Sequence, residues 1–560
     1  MKPRIAVFSG PTATIQNSPP LVTSGKTRAQ LGLPPLVDAM GAPRRFDTLR
    51  PQRLAAPVTV YIEQFSAHPL ERDSIELYGP PDGYLDSSGA FVLERSGPDD
   101  TPVYRVTLTP NDGLYLLPYV ATQADGSAWD DVMAHPGAPR ERSRQTFYPD
   151  ASRIFEEIDR FGLDGRGGNS LLSSVAEFDF YRPAPSGGYR KGLAAAARSD
   201  AGEGDIEPED WGEDFFMYYP SHLRSEPYQA VLARATNIVA EAMASGRYAG
   251  GLWLEGSPTA EESIYWLNLL IDTRAPLVAH SAQRAHQLLS NDGDRNIVDG
   301  VNYIASRVWA DADGHNAAGG VLIVDELVYS SRDVQKADAR PGGYVVTGGH
   351  GGLLGSANPP KLMFLPQRRH TYTSEVRLPC LPGCVEGVRR AGANIERVPV
   401  VVKDEAGRLL PGAIPKVTIE KYGRYMVDDA EARAEGEVGI AALIEKNLCR
   451  FPLAGFVGEG AAPYGSMSAA TDAALARAVF SGMPVVKVGR GNAEGVTPQR
   501  AGPFISGDNL TATKARMLLM ACLLRFGAPP AARDPAQPTP DEVAASRAVL
   551  ATYQAVFDTH

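Results

Sequence analysis

Two side chains far apart in the sequence stand where an α/β chain puts its chemistry. Ser257 lies in LEGSPTAEES, Leu254 to Ser263, where the apolar run GGLWL gives way to the helical pattern AEESIYWLNLL. Lys336 lies in ELVYSSRDVQKADARPGG, a polar stretch that follows the strand-like run VLIVDE and places the lysine in a loop at that strand's carboxyl end. A hydroxyl is a poor nucleophile at neutral pH without a base beside it. A lysine in a cleft loses hydration, its pKa falls, and it can then exchange protons with a hydroxyl. If both segments end parallel strands of one sheet, the two groups share a crevice. Each also has a plainer reading. Ser257, with Pro258 behind it and Glu261 and Glu262 in the next turn, reads equally well as the cap of a helix. From its position alone, Lys336 reads more readily as a solvated surface lysine.

A second source of hydroxyls follows the first apolar run, RIAVFS. The stretch SGPTATIQNSPPLVTSGK holds Thr12, Thr14, Thr23, Ser24 and Lys26. Hydroxyls in a first βα loop meet a ligand where the strand order of a sheet reverses, and they also serve as turn residues. Glycine is too sparse here for a dinucleotide or P-loop fingerprint. Cys380 and Cys384 form half of a metal motif whose second half is missing, so the four cysteines read as ordinary thiols and no metal is expected.

These groups need a scaffold, and the chain after Tyr219 supplies one. SEPYQAVLARATNIVAEAMAS reads as an amphipathic helix with Ser225 as cap and Pro227 in its first turn. GGLWLE, PLVAHS and GGVLIVDE read as buried strands, and AEESIYWLNLLIDT and DRNIVDGVNYIASR as the helices between them. Strand and helix in turn predict a doubly wound, mostly parallel sheet with ligands at the carboxyl ends of its strands. A smaller α/β unit follows, built from RVPVVVK, GIAALIEKNLCRFPLAGFVGEG, SAATDAALARAVFSGMPVVKVGR and TATKARMLLMACLLRFG, with a final helix from about Glu542. The expected organisation is an N-terminal domain over 1–375, a linker over 376–395 and a C-terminal domain over 396–560. Residues 70–215, rich in Gly, Pro, Asp and Ser with short β-like runs, read as an insertion in the first domain.

Composition narrows the class. A chain of 560 residues is too long for one ordinary domain. An apolar fraction of 43% and a charged fraction of 22% are those of a soluble globular protein. The net charge of −11 argues against nucleic acid and against an anionic membrane as partner. No uninterrupted apolar stretch is long enough for a membrane span. With no secretory leader pattern at the N-terminus and with scattered cysteines, a reducing cytoplasm is the expected compartment.

Taken in order, these segments resemble the bacterial-type L-asparaginase family, two-domain α/β amidohydrolases with a threonine nucleophile. The resemblance covers roughly 1–35 and 219–525. SSRDVQKADARPGGYVVTGGHGGLLG is similar to the family's Arg-Asp-Val-x-Lys stretch and the glycine run after it. LEGSPTAEES stands where the family has His-Gly-Thr-Asp-Thr-x-Glu-Glu-Thr. FVGEGAAPYGSM and SGDNLTATKAR resemble segments of its C-terminal domain. The resemblance implies an asparaginase-like fold and a homo-oligomer, a dimer or tetramer with sites between subunits. It places the first nucleophile at Thr14, through the shared Thr-Ile, or at Thr12 by ungapped counting. It makes Ser257 the second hydroxyl and Lys336 the lysine. Ser221 and His222 fall on the pair that holds the substrate's charged ends, and Glu459 on the loop that approaches its amine. Pro258 replaces the family's aspartate, and no tyrosine occurs in residues 15–60 to match its loop tyrosine.

An amidohydrolase acting on a small amide or imide other than free asparagine is therefore expected. A hydroxyl of Thr14 or Ser257 would attack, Lys336 would carry the proton, and backbone N–H groups near Gly10 or Gly256 would hold the oxyanion. No cofactor is called for. A true asparaginase or glutaminase, and a non-catalytic binding protein on the same fold, remain as alternatives.

Overall fold

The apolar runs that alternate with amphipathic segments after Tyr219 become parallel strands joined by helices. The computed structural model describes residues 2–13, short strands within 22–117, parts of 151–191, and 228–560 apart from 258, 285–289, 347–351, 367, 369–370, 424–433, 463 and 492–501. The central strands are Arg4–Ser9 (β1), Glu177–Pro183 (β2), Tyr189–Lys191 (β3), Gly250–Leu254 (β4), Leu277–His280 (β5), Val321–Val324 (β6) and Leu327–Ser330 (β7). Val334–Lys336 (β8) and Tyr344–Val346 (β9) form a separate antiparallel ribbon, and Leu353–Ala357 (β10) and Pro360–Leu362 (β11) return to the sheet. The nine-stranded sheet runs β3-β2-β1-β4-β5-β6-β7-β10-β11. Strands β2, β1, β4, β5 and β6 are parallel, so the order reverses at β1 and opens a crevice at the carboxyl ends there.

The strands at this crevice are buried on both faces. Ile5, Val7, Leu252, Trp253, Val278 and Ala279 are all inaccessible to solvent, as expected for a parallel sheet covered by helices. Tyr228–Ala244 (α1), Ala260–Leu270 (α2) and Gly293–Ser306 (α3) fall in the predicted helical stretches, while Ser225 and Pro227 lie outside the described residues. Helix α2 is apolar nearly all round, which marks it as an internal helix with a layer on either side.

The second layer is a four-stranded parallel sheet of Lys416–Lys421 (β14), Ala454–Gly460 (β15), Val485–Gly489 (β16) and Ile505–Ser506 (β17). It packs with Val438–Arg450 (α4), Ala469–Phe480 (α5), Ala512–Phe526 (α6) and Pro540–Phe557 (α7). Helix α6 lies against α2. There Lys514, fully buried, donates to the carbonyls of Glu261 and Ser331, and Arg516 pairs with Glu262. The molecule is thus an α/β fold of two sheets built on parallel strands, with helices packed on them. Among the described residues no helix is long and apolar enough to cross a membrane.

Three expectations differ from this architecture. The stretch 70–215 is not wholly an insertion, because β2 lies within it and pairs in parallel along β1. The stretch 376–395 is not a bare linker: Cys384–Ala391 (β12) pairs with Asn394–Val401 (β13) as a long hairpin. RVPVVVK is therefore the second arm of that hairpin, and the parallel sheet begins instead at KVTIEK. Within the stretch, Gly83–Leu85, Phe91–Val92 and Thr101–Leu108 join Val58–Ile62, which precedes residue 70, in an antiparallel sheet.

Candidate active site

The carboxyl ends of β1, β4 and β5 open on a cavity of about 240 Å³. Ser9, Thr12 and Ala13 line it from the first βα loop, and Glu255 and Gly256 from the end of β4. His280, Gln283, Arg284 and Asp294 close it from β5 and the start of α3. Ala151 and Ile154, from the segment read as an insertion, complete the wall.

Two close approaches set the geometry. The Gly10 N–H donates to the Leu254 carbonyl at 2.7 Å, carrying the β1–β4 ladder past the strand ends. A Cβ on Gly256 would lie 2.8 Å from Thr12 Oγ1, so only glycine lets the first loop pass here. The Gly256 N–H donates to Thr12 Oγ1 at 3.0 Å, and Thr12 Oγ1 lies 2.7 Å from Thr259 Oγ1. Thr259 Oγ1 is also 3.2 Å from the Gly256 carbonyl, and either hydroxyl of the threonine pair can be the donor. Both N–H groups expected to hold an oxyanion, those of Gly10 and Gly256, are thus already engaged.

Glu255 lies beneath this loop and is 5% exposed. Its Oε2 accepts from the Trp253 indole at 2.7 Å, while Oε1 has no hydrogen-bond partner among the described residues. Burial pushes the carboxyl above its ordinary value, against the pull of the Ser263, Trp253, Thr259 and Thr12 donors around it. His280, its neighbour on β5, is held neutral: burial lowers it to about 4, and its Nδ1–H donates to the Ile323 carbonyl at 3.1 Å.

Ser257 and Lys336 meet around a residue that sequence reasoning did not single out, Tyr344. Lys336 and Tyr344 are directly opposed on the β8–β9 ribbon, with the ammonium 4.7 Å from the ring centre, a cation–π contact. The Tyr344 hydroxyl donates to the Ser257 carbonyl at 2.5 Å and so accepts from Ser281 Oγ at 2.8 Å. Burial pushes this phenol up to about 12. Burial also lowers Lys336, opposed by the charges of Asp292, Asp338 and Glu261. The lysine is a strand residue rather than part of a loop at the end of β6. The chain first turns back as β7 through Asp325 and Glu326, whose φ angles of 52° and 62° build a tight hairpin turn.

Ser257 is not the cap of α2. Thr259 holds that position, and its hydroxyl is spent on Thr12 and the Gly256 carbonyl rather than on the helix. The Ser257 hydroxyl donates to Gln283 Oε1 at 3.2 Å, at the rim of the cavity. Thr14, Ser221, His222 and Pro258 lie outside the described residues. Glu459 does not reach this cavity within the chain. It ends β15, pairs with Lys421 at 3.4 Å, and lines a second cavity of about 260 Å³ with Gln335, Arg490 and Thr511. Glu255, Tyr344, Gln283 and Arg284 are the site residues the sequence did not reveal. One signal was available for the first of them: an acid stands immediately before the Gly-Ser that ends a buried strand.

Comparison with known proteins bears on the same segment. Residues 215–343 match the asparaginase N-terminal domain. An L-asparaginase of Bacillus licheniformis is 33% identical over 94 residues, which is 17% of this chain and 27% of that protein. The aligned region thus spans about a quarter of that relative's length. A crystal structure described as a probable cytoplasmic L-asparaginase from Campylobacter jejuni superposes with a TM-score of 0.42 at 21% identity, covering 59% of this chain and 86% of that one. The matched residues carry β4 to β8 with α1, α2 and α3, the elements that build most of the cavity and bear Ser257 and Lys336, so the similarity to the asparaginase N-terminal domain lies where the site lies.

Proposed function

We propose that this protein is an amidohydrolase that cleaves the C–N bond of a small amide or imide other than free L-asparagine. The observation that carries the reading is the pair of hydroxyl clusters on either side of the Gly256 peptide. One is Thr12 with Thr259 on the cavity; the other is Ser257 and Ser281 around Tyr344, with Lys336 against its ring. Among the described residues Thr12 is the first-loop hydroxyl that lines the cavity, and in this reading it attacks the carbonyl. Lys336 assists from the Tyr344 side, its ammonium favouring charge that develops on the substrate. Gln283, whose Oε1 is taken by Ser257, keeps its amide N–H groups for a bound carbonyl. The chemistry calls for no cofactor.

Selectivity against asparagine follows from position 258. The resemblance puts an aspartate there, and Pro258 offers no charge to an ammonium group. A charge-assisted contact contributes about 1.5–3 kcal/mol, so its loss weakens binding of a free amino acid roughly tenfold or more. A screen of primary amides, imides and lactams for released ammonia or acid tests the reading. The expected outcome is turnover of one such class with little on L-asparagine. Lys336→Met and Ser257→Ala are each expected to lose about 100-fold or more in kcat while melting normally. Full activity in Lys336→Met would remove the lysine from the mechanism. No turnover on any of these compounds would leave a binding protein on this fold.

A further inference from the structure

We infer that Glu255 is the group that takes the proton from Thr12 Oγ1 and returns it to the leaving nitrogen, an inference that rests on the amidohydrolase reading above. Three observations point to it. Glu255 is nine-tenths buried yet lines the cavity, and its Oε1 has no partner among the described residues. A buried carboxyl oxygen left unpaired is costly, so its place on a cavity wall asks for a role. Thr12, with the Gly256 N–H directed at its oxygen, is one of the hydroxyls around the Glu255 carboxyl, and Gly10, packed against that carboxyl, carries no side chain to intervene. A Cβ there would lie 3.0 Å from Glu255 Cβ, Cγ and Cδ. Finally, the surroundings keep other charges off the carboxyl. His280 on β5 is neutral, the Glu261 carboxylate on α2 accepts from the Lys336 N–H, Glu262 pairs with Arg516, and Arg284 and Asp294 are the other charged groups among the cavity's lining residues.

The step balances. Glu255 accepts the Thr12 proton as the Oγ1–C bond forms, and the nitrogen leaves with that proton as the C–N bond breaks. Water then gives a proton to Glu255 and adds to the acyl carbon. The C–Oγ1 bond breaks, and the threonine oxygen recovers a proton. The net change is amide plus water to acid plus amine. Glu255 stands where the resembled motif has histidine, one residue before Gly256, so the titratable group lost at Pro258 is replaced from the strand side. A carboxyl that burial raises above its ordinary value suits both halves of this work better than an ordinary one.

The test acylates Thr12 with 4-nitrophenyl acetate and follows nitrophenol release and the mass of the modified peptide, which requires no knowledge of the natural amide. The expected result is a single acetyl group on Thr12. Its rate should climb with pH through one ionisation and fall about 100-fold, with a flat profile, in Glu255→Gln. Glutamine keeps an oxygen for the Trp253 indole, so the variant is expected to fold, and its melting curve verifies that. Glu255→Asp is expected to recover part of the rate and the pH dependence. Wild-type labelling rate and profile in Glu255→Gln would overturn the inference, as would acetylation at residues other than Thr12. Clean labelling that depends on Glu255, with no amide turned over, would instead overturn only the amidohydrolase reading.

Discussion

A carboxylic acid buried as deeply as Glu255 is a stability liability with a defined pH signature. Burial raises its folded-state pKa above that of the unfolded chain. Below the unfolded value, near 4.3, the acid is protonated in both states and the fold is unpenalised. As pH rises towards the folded value, the unfolded chain loses its proton first, so stability falls across that window. Glu255→Gln removes the titration. It is expected to melt higher than the wild type at pH 8, with the difference closing by about pH 4, measured by calorimetry at fixed ionic strength. Equal melting temperatures at both pH values would mean that the carboxyl is not raised. The same residue shows how far sequence reading reaches at this scale. Ser257 and Lys336 were legible because hydroxyl and amine suggest chemistry wherever they stand. Glu255 was not, because an acid at a strand end looks solvated until the strand on its other side is known. Tyr344 was hidden for a similar reason: its partner across the ribbon is settled by a turn, and the sequence does not display that pairing.

At the scale of elements, the parallel strands and the helices between them were readable because their apolar runs are long and strongly periodic. Strand β2 was missed since EFDFYRP alternates acid and aromatic and sits among loop-like residues. Phe180 and Tyr181, buried on its two opposite faces, make sense only once it lies in the sheet against β1. RVPVVVK was read as a sheet strand on composition, but a hairpin edge has the same composition, and pairing with β12 is decided by distant contacts. The junction of α2 with α6 matters most for the site, since α2 begins immediately after the Gly256 turn. Lys514 holds it there, its ammonium lowered to about 8, chiefly by burial, and bonded to the carbonyls of Glu261 and Ser331. Lys514→Met keeps the stem and deletes both bonds to buried carbonyls, at a cost of about 1–3 kcal/mol. The expected outcome is a lower denaturant midpoint. Any amidase activity should survive at low temperature and be lost early on heating. A midpoint unchanged from wild type would show that the lysine's own desolvation cancels what its bonds contribute.

For the whole molecule, the open matter is assembly. The resemblance implies a homo-oligomer, and one surface feature agrees with it. Met363, Phe364 and Leu365 directly follow the edge strand β11 and are 62%, 60% and 54% exposed. Leu353 on the neighbouring β10 is exposed as well. Three consecutive large apolar side chains at a sheet edge are a feature that monomeric proteins usually blunt with charge or cover. We propose that a second copy of this chain covers them. A net charge of −11 works against association in general, so a dimer here depends on apolar contact and should persist in salt, which screens the repulsion. Sedimentation at micromolar concentration is expected to give twice or four times the chain mass of 59.9 kDa, with no loss at 0.5 M NaCl. Phe364→Asp places a charge in the patch and should shift the population towards the monomer without lowering the melting temperature of the folded chain by more than a few degrees, since the residue is exposed. A wild-type chain that sediments as a 59.9 kDa monomer would refute the assembly itself. An oligomer undiminished in Phe364→Asp would place the contact on another face.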